Sequence, residues 1–98
     1  MADLRFEWDE AKNGSNQRKH RVSFEEAQTV FYDDWAILVG DEDADEPEER
    51  FVLLGMSAGL RTLVVCHSYR KSEETIRIIS ARRAGRQERK DYETRWKR

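Results

Sequence analysis

Three β-rich runs stand close together in the second half of the chain, and they constrain its fold more than any other feature. They are RFVLLGMS, RTLVVCHSY and TIRIISA, and only AGL and RKSEE separate them. Short runs rich in β-branched and aromatic residues, joined by short polar turns, are typical of consecutive antiparallel strands. The sequence therefore predicts an antiparallel meander of these three runs, and the earlier apolar run WAILV is predicted to be a buried strand.

Helical patterns precede this meander. RFEW alternates like a short half-buried strand, and Asp9 can then cap a first helix through EAKNGSNQRKH. Ser23 and Glu26 have the spacing of a capping box, which predicts a second helix within VSFEEAQTVFYDD. Its apolar residues share one face: Phe24, Ala27, Val30 and Phe31.

A third helix is predicted at the end of the chain. From Ala84 onward one stripe repeats every fourth residue: Ala84, Glu88, Tyr92 and Trp96. The predicted order is β-α-α-β-β-β-β-α, an α+β fold in which two N-terminal helices and a C-terminal helix pack on an antiparallel sheet. A chain of 98 residues supports one modest core, so residues 1–98 are predicted to form a single domain.

Charge is divided unevenly along the chain. Residues 1–69 carry 15 acidic and 7 basic side chains, a net of −8, whereas residues 70–98 carry 5 acidic and 11 basic ones, a net of +6. Much of the acidic charge falls in GDEDADEPEE, which is too polar to pack and is predicted to be an exposed loop. The net charge of −2 thus conceals a cationic region that suits an anionic partner.

Metal and membrane functions receive little support. Two histidines and the single Cys66 cannot form an all-His/Cys tetrahedral site, and the acidic run lacks the ligand spacing of an EF-hand. We therefore expect no metal and no other cofactor. The start of the chain has no basic segment followed by an apolar one, and no run is long enough to span a bilayer, so we expect a cytoplasmic protein without a membrane partner.

Glu88 is an anomaly, because it interrupts the stripe of the last helix that should face the sheet. A carboxylate there needs a partner, and Arg77 and Arg82 are the nearest candidates in sequence. Two interpretations stay open: a structural ion pair that fixes the helix to the sheet, or a part of an active site.

Histidines supply further candidates. Alternation along LVVCHSYR places His67 on one face with Leu63 and Val65, where a simple hydrogen-bonding role competes with a catalytic one. Lys19 and His20 end the first helix, where a cation also stabilises the helix by interacting with its exposed carbonyl groups.

The arginine-rich end suggests RNA binding. Arginine forks bind phosphate and aromatic rings stack on bases, although protein interfaces use the same residue types. The candidates for contacts with RNA are Tyr69, Arg83, Arg86, Arg89, Tyr92 and Trp96.

Two long blocks resemble the signature blocks of the BrnT toxin family. They are FEWDEAKNGSNQRKHRVSFEEA near the start and RIISARRAGRQERKDYE near the end, with matching RFVLLGMS and LVVCHSY segments between them. One departure is Arg21, where the family usually has glycine. The resemblance implies a RelE-like fold and a ribonuclease toxin that inhibits translation and growth. It also implies a BrnA-like antitoxin with a ribbon-helix-helix domain, so that promoter DNA is bound only through the toxin–antitoxin complex.

The resemblance further implies metal-independent cleavage, in which the RNA 2′-hydroxyl attacks the adjacent phosphorus. Phosphate contacts are assigned by hypothesis to three arginines: Arg70, Arg77 and Arg82. Glu88 or His67 is assigned to accept the 2′-hydroxyl proton, and His20 or Lys19 to donate one to the leaving oxygen. Two other functions remain as alternatives: a non-catalytic RNA- or protein-binding module, and a metal-dependent nuclease that uses the acidic loop.

Overall fold

The computed structural model describes residues 4–40, 50–70 and 74–96. In chain order, these residues form β1 (Arg5–Glu7), α1 (Glu10–His20), α2 (Phe24–Thr29), β2 (Ile37–Gly40), β3 (Phe51–Met56), β4 (Thr62–Tyr69), β5 (Thr75–Arg83) and α3 (Arg86–Trp96), and a 3-10 turn (Val30–Tyr32) follows α2. This order agrees with the predicted one. Apart from Gly40, the predicted acidic loop lies outside the described residues.

The five strands form one sheet in the order β1-β5-β4-β3-β2. The predicted meander of β3, β4 and β5 is confirmed, and β2 adds to it by pairing antiparallel with β3. The prediction that WAILV is buried is wrong, because β2 lies at the end of the sheet order with Leu38 and Val39 about half exposed. The prediction of a fully antiparallel sheet is wrong, because β1 pairs parallel with β5 and makes the sheet mixed. No tight turn joins β1 to β5, so local turn geometry does not set the direction of this pairing.

Helices cover both faces of the sheet. On the face that we call the α1–α2 face, residues of α2 and its flanks pack on strand residues that include Leu63, Val65 and Ile78. On the opposite face, which we call the α3 face, Ala84 and Tyr92 pack on Leu54 and Val64. The central strands β3 and β4 thus bury alternate residues in two separate cores.

Two buried asparagines hold the polar helix α1 in place. Asn16 donates from Nδ2 to the carbonyl oxygens of Val22 and Ala81, at 2.8 Å each, and accepts from the backbone N–H of Ala81 at 3.1 Å. Asn13 Oδ1 accepts from the backbone N–H of Phe24 at 2.8 Å. The end of α1 therefore lies along the edge of β5 beyond β1 and satisfies backbone groups there.

The second helix is shorter than predicted, since α2 ends at Thr29. Its predicted N-terminus is confirmed by Ser23 Oγ, which accepts from the N–H of Glu26 at 3.0 Å. The Glu26 carboxylate does not close the capping box but accepts from Ser57 Oγ at 2.6 Å and from Arg61. This contact joins α2 to the turn between β3 and β4, and the Arg61 side chain holds the pKa of Glu26 below its usual range.

Candidate functional site

A β-bulge in β5 determines which arginines share a face. Cys66 pairs with Ser80 and His67 with Ile78, so Ile79 is an extra residue in β5. Arg77 and Arg82 are five positions apart, and simple alternation would put them on opposite faces. Because of the extra residue, both lie on the α3 face.

Arg82 and Glu88 form a bidentate ion pair across this face. Arg82 Nη1 donates to Glu88 Oε1 at 2.8 Å, and Nη2 donates to Oε2 at 2.9 Å. Glu88 Oε1 also accepts from the N–H of Gly85 at 2.8 Å, as a carboxylate does in the first turn of a helix. The Arg82 guanidinium is the main reason that the pKa of Glu88 lies below its usual range, so this carboxylate stays ionised near neutral pH.

A pocket of about 230 Å³ lies beside this ion pair. Its lining comes from α1, from three strands and from α3: His20, Val52, Val64, Cys66, Ser80, Ala81, Arg82 and Glu88. His20 reaches the pocket because it ends α1, which Asn16 anchors to the edge of β5. The apolar side chains Val52 and Val64 and the charged groups at the rim suit a ligand with a flat apolar part and an anionic part.

Arg70 and Arg77 belong to a second cluster. Arg70 Nε donates to Glu7 Oε1 at 3.1 Å, and Arg77 Nη1 donates to Glu7 Oε2 at 3.2 Å. Arg77 is on the order of 15 Å along β5 from Arg82, at the usual rise of a strand. The two arginines are thus held by different carboxylates, Glu7 and Glu88, and belong to separate clusters. Glu7, which joins Arg70 and Arg77, was not expected from the sequence because nothing local marks it as a partner of β5.

His67 lies in the core under the α1–α2 face. Its side chain is 0% exposed, and its ring makes an edge contact with Phe31 at a centroid distance of 4.7 Å. Burial lowers the pKa of His67, so the ring is neutral near neutral pH. Because the His67 side chain is fully buried, a substrate cannot reach it, and the expectation that it accepts a proton from RNA is corrected.

Tyr92 is also a core residue. Its side chain is 3% exposed, and its hydroxyl donates to Asp33 Oδ2 at 2.6 Å, which fixes α3 to the end of the 3-10 turn. Burial, together with this hydrogen bond, raises the pKa of Tyr92 above its usual value. The expectation that Tyr92 stacks on a base is therefore corrected, because its ring packs on the sheet.

The other predicted residues that the structure describes have exposed side chains and do not take part in the ion pair. Tyr69 is half-exposed at the end of β4 on the α1–α2 face, where it contacts Phe51. Arg83 pairs in register with Leu63 and belongs to the same face. The remaining predicted side chains are exposed near the ends of helices: Lys19, Arg86 and Arg89. The side chain of Trp96 lies outside the described part of the chain.

Neither a metal cluster nor a membrane span is found in the part of the chain that the structure describes. No group of three or more His, Cys, Asp or Glu side chains gathers there in a geometry that could hold an ion. No helix among the same residues is long and apolar enough to cross a membrane.

The fold and the pocket together define a small α+β protein that presents an arginine, a carboxylate and a histidine around one opening on its sheet. The family model for the ribonuclease toxin BrnT of type II toxin–antitoxin systems matches residues 8–88, so the chain belongs to the BrnT family. It is thus a ribonuclease toxin, with RNA as substrate and an antitoxin as partner.

A solved relative supports the same family. The crystal structure of the ribonuclease toxin BrnT from Brucella abortus matches with a TM-score of 0.64 and 25% sequence identity, over 85% of this chain and 99% of that chain. No curated protein matches the chain.

Proposed function

We propose that this protein is a metal-independent endoribonuclease and that the pocket beside Arg82 is its active site. In the reaction, the RNA 2′-hydroxyl oxygen forms a bond to the adjacent phosphorus while the bond to the 5′-oxygen of the next nucleotide breaks. The products are a 2′,3′-cyclic phosphate and a free 5′-hydroxyl. The observation that carries this proposal is that a fixed guanidinium, a carboxylate and a histidine line one pocket.

Arg82 stabilises the charge that develops on the phosphoryl oxygens. Its bidentate contact with Glu88 fixes the orientation of the guanidinium, and nearly half of the side chain, 47%, remains exposed toward the substrate. A donor that is held in place before the reaction needs no reorganisation in the transition state. Glu88 therefore positions Arg82, in addition to the role in proton transfer proposed for it below.

Proton transfer is divided between Glu88 and His20. Glu88 Oε2 accepts one hydrogen bond from Arg82, and its second lone pair can accept the 2′-hydroxyl proton. His20 lines the same pocket, where its ring nitrogen can donate to the leaving oxygen. The low pKa of Glu88 makes it a weak base, so Arg82 has to supply much of the stabilisation.

The other arginines bind the RNA backbone away from the cleaved bond. Arg70 and Arg77 lie with Glu7 on the α3 face, at a distance that suits a phosphate further along the same strand. Exposed arginines near α3 add attraction that weakens as the salt concentration rises: Arg83, Arg86 and Arg89.

Metal-independent cleavage predicts a specific product. Purified protein should cut RNA in EDTA and leave fragments with 2′,3′-cyclic phosphate ends. Cleavage that occurs only with added Mg²⁺ would contradict the proposal.

Two substitutions test the site. Arg82→Ala should lower cleavage roughly 100- to 1,000-fold, which is typical for the loss of one charge-stabilising donor. The fold should survive, because a half-exposed ion pair contributes at most about 1 kcal/mol. Arg95→Ala removes an exposed cation from the far end of α3 and is the matched control. Full activity of a folded Arg82→Ala protein would remove this assignment.

A second candidate function is a non-catalytic RNA-binding module. Glu88 already accepts hydrogen bonds from Arg82 and Gly85, and a carboxylate whose role is purely structural makes the same contacts. Binding of RNA without any cyclic phosphate product would support it. The proposed partner in either case is an antitoxin of the BrnA type with a ribbon-helix-helix domain that carries the DNA contacts, and the proposed fold relationship is to RelE.

A further inference from the structure

The edge strand β2 exposes an apolar surface. β2 is the last strand of the sheet order, and β3 is its only neighbour among the described residues. Leu38 is 53% exposed and Val39 is 49% exposed, and Trp35, just before the strand, is 51% exposed. Large apolar side chains are normally scattered singly on a surface, so three in five residues form a patch.

This patch continues around the edge of the sheet. Leu38 pairs in register with Leu53 on the α1–α2 face, whereas Val39 pairs with Val52 on the α3 face. Both sides of the strand are therefore apolar, and its outer backbone groups point away from β3. Natural edge strands are usually protected by lysine, proline or a bulge, and residues 37–40 contain no lysine or proline.

Charge excludes a second copy of this chain as the occupant. The sequence places seven acidic residues within positions 41–49, directly after β2, and Asp33 and Asp34 shortly before it. A second copy would bring the same acidic sequence to this edge, and positions 33–49 contain no basic residue that could offset it. Like charges on neighbouring strands are destabilising.

We propose that β2 binds an extended segment of the antitoxin as a sixth strand of the sheet. The segment carries alternating apolar residues that cover Leu38, Val39 and Trp35, and it is flanked by lysine or arginine that complements the acidic sequence following β2. Backbone hydrogen bonds supply affinity and the flanking charges set the direction of the segment. The inference rests on membership of the BrnT family, which implies an antitoxin, but not on the proposed catalytic roles.

The docking edge lies beyond the proposed active site. Three strand spacings, roughly 14 Å, separate β2 from β5, which carries Arg82, although Val39 pairs with the pocket residue Val52. Leu38 lies on the opposite face of the sheet, so Leu38→Lys alone should weaken neutralisation by the antitoxin and leave RNA cleavage by the free toxin unchanged. This separation distinguishes a failure of the docking proposal from a failure of the proposed catalytic site.

The test uses the double variant Leu38→Lys/Val39→Lys, which adds two cations to the edge and removes two apolar anchors. Leu60→Lys is the matched control, because Leu60 is 80% exposed in the turn between β3 and β4. Each protein is co-expressed with the antitoxin encoded beside the toxin, and affinity and amide hydrogen exchange are then measured on the purified complex. The light scattering mass of each free toxin is measured in parallel.

The double variant should bind the antitoxin about 100-fold more weakly, if each lost anchor costs about tenfold. The control variant should bind like the wild type, and residues 36–40 of the wild type should become protected in the complex. Unchanged affinity of the double variant, or unprotected amides at 36–40, would overturn the proposal. A free toxin dimer that the double variant abolishes would also overturn it, because the occupant would then be a second copy.

Discussion

Replacing Arg21 with glycine is expected to stabilise this protein. Arg21 ends α1 with φ 59° and ψ 31°, a left-handed conformation that costs little only for glycine. Its N–H donates to the carbonyl of Gln17 at 2.9 Å, and its own carbonyl accepts from Arg61 Nη2 at 3.0 Å. Both contacts use backbone atoms, which glycine retains.

The size of the effect follows from two opposing contributions. A left-handed conformation costs an L-residue about 1–2 kcal/mol, whereas glycine gives the unfolded chain extra entropy worth about 0.5–1 kcal/mol. The net gain is roughly 0.5–1 kcal/mol in the free energy of unfolding. For a domain of this size, that gain raises the melting temperature by roughly 2–8 °C.

Thermal unfolding followed by circular dichroism can separate backbone strain from loss of the side chain. Arg21→Ala removes the guanidinium but keeps a Cβ, so its melting temperature should not exceed that of the wild type. Arg21→Gly should lie above both. If the glycine variant is no more stable than the alanine variant, the positive φ does not strain the native chain and the reasoning is wrong.

Three further predictions concern the core. Burial lowers the pKa of His67 in the folded state, so the unfolded chain takes up a proton at a higher pH than the folded chain. The contribution of His67 to stability should therefore be full above about pH 7 and fall as the pH drops below about 6.5. A melting temperature that does not change over this pH range would contradict the prediction. Gly55→Ala should lower the free energy of unfolding, measured in urea, by about 1–3 kcal/mol, since an added Cβ would lie 2.9 Å from the Cβ of Ala36. An unchanged urea midpoint would show that the chain around Ala36 moves to make room for the methyl group. Asn16→Ala should lower the free energy of unfolding by about 3 kcal/mol or more, because it leaves buried backbone groups of Ala81 without their partner. A loss below about 1 kcal/mol would show that these hydrogen bonds do not hold α1 on β5.

Much of the secondary structure could be predicted from local patterns. The caps at Asp9 and Ser23 and the close spacing of β3, β4 and β5 are short-range features, and each correctly marked an element. The parallel direction of β1 could not be predicted, because its partner β5 begins 70 residues after it in the chain and no turn links them. The role of Asn16 could not be predicted for the same reason, since its hydrogen-bond partner Ala81 lies 65 residues further along the chain.

The candidate site was predicted only in part. The contact between Glu88 and Arg82 followed from a carboxylate that interrupts an apolar stripe, with an arginine six residues before it. The separation of Arg77 from this pair did not follow, because Glu7, which binds Arg77, comes from the other end of the chain. Alternation correctly grouped His67 with aliphatic residues, but it could not say that helices cover that face.

The sequence by itself determined the identity and order of the elements, because hydrophobic period, caps and turns act between near neighbours. Only the tertiary structure decided which charged groups meet. The extra residue Ile79 in β5 turns Arg77 and Arg82 to one face, and this bulge exists only in the pairing of β5 with β4. The physical reason is that strand register depends on contacts between distant segments, whereas the residue pattern along a single strand does not show where a bulge will interrupt the alternation.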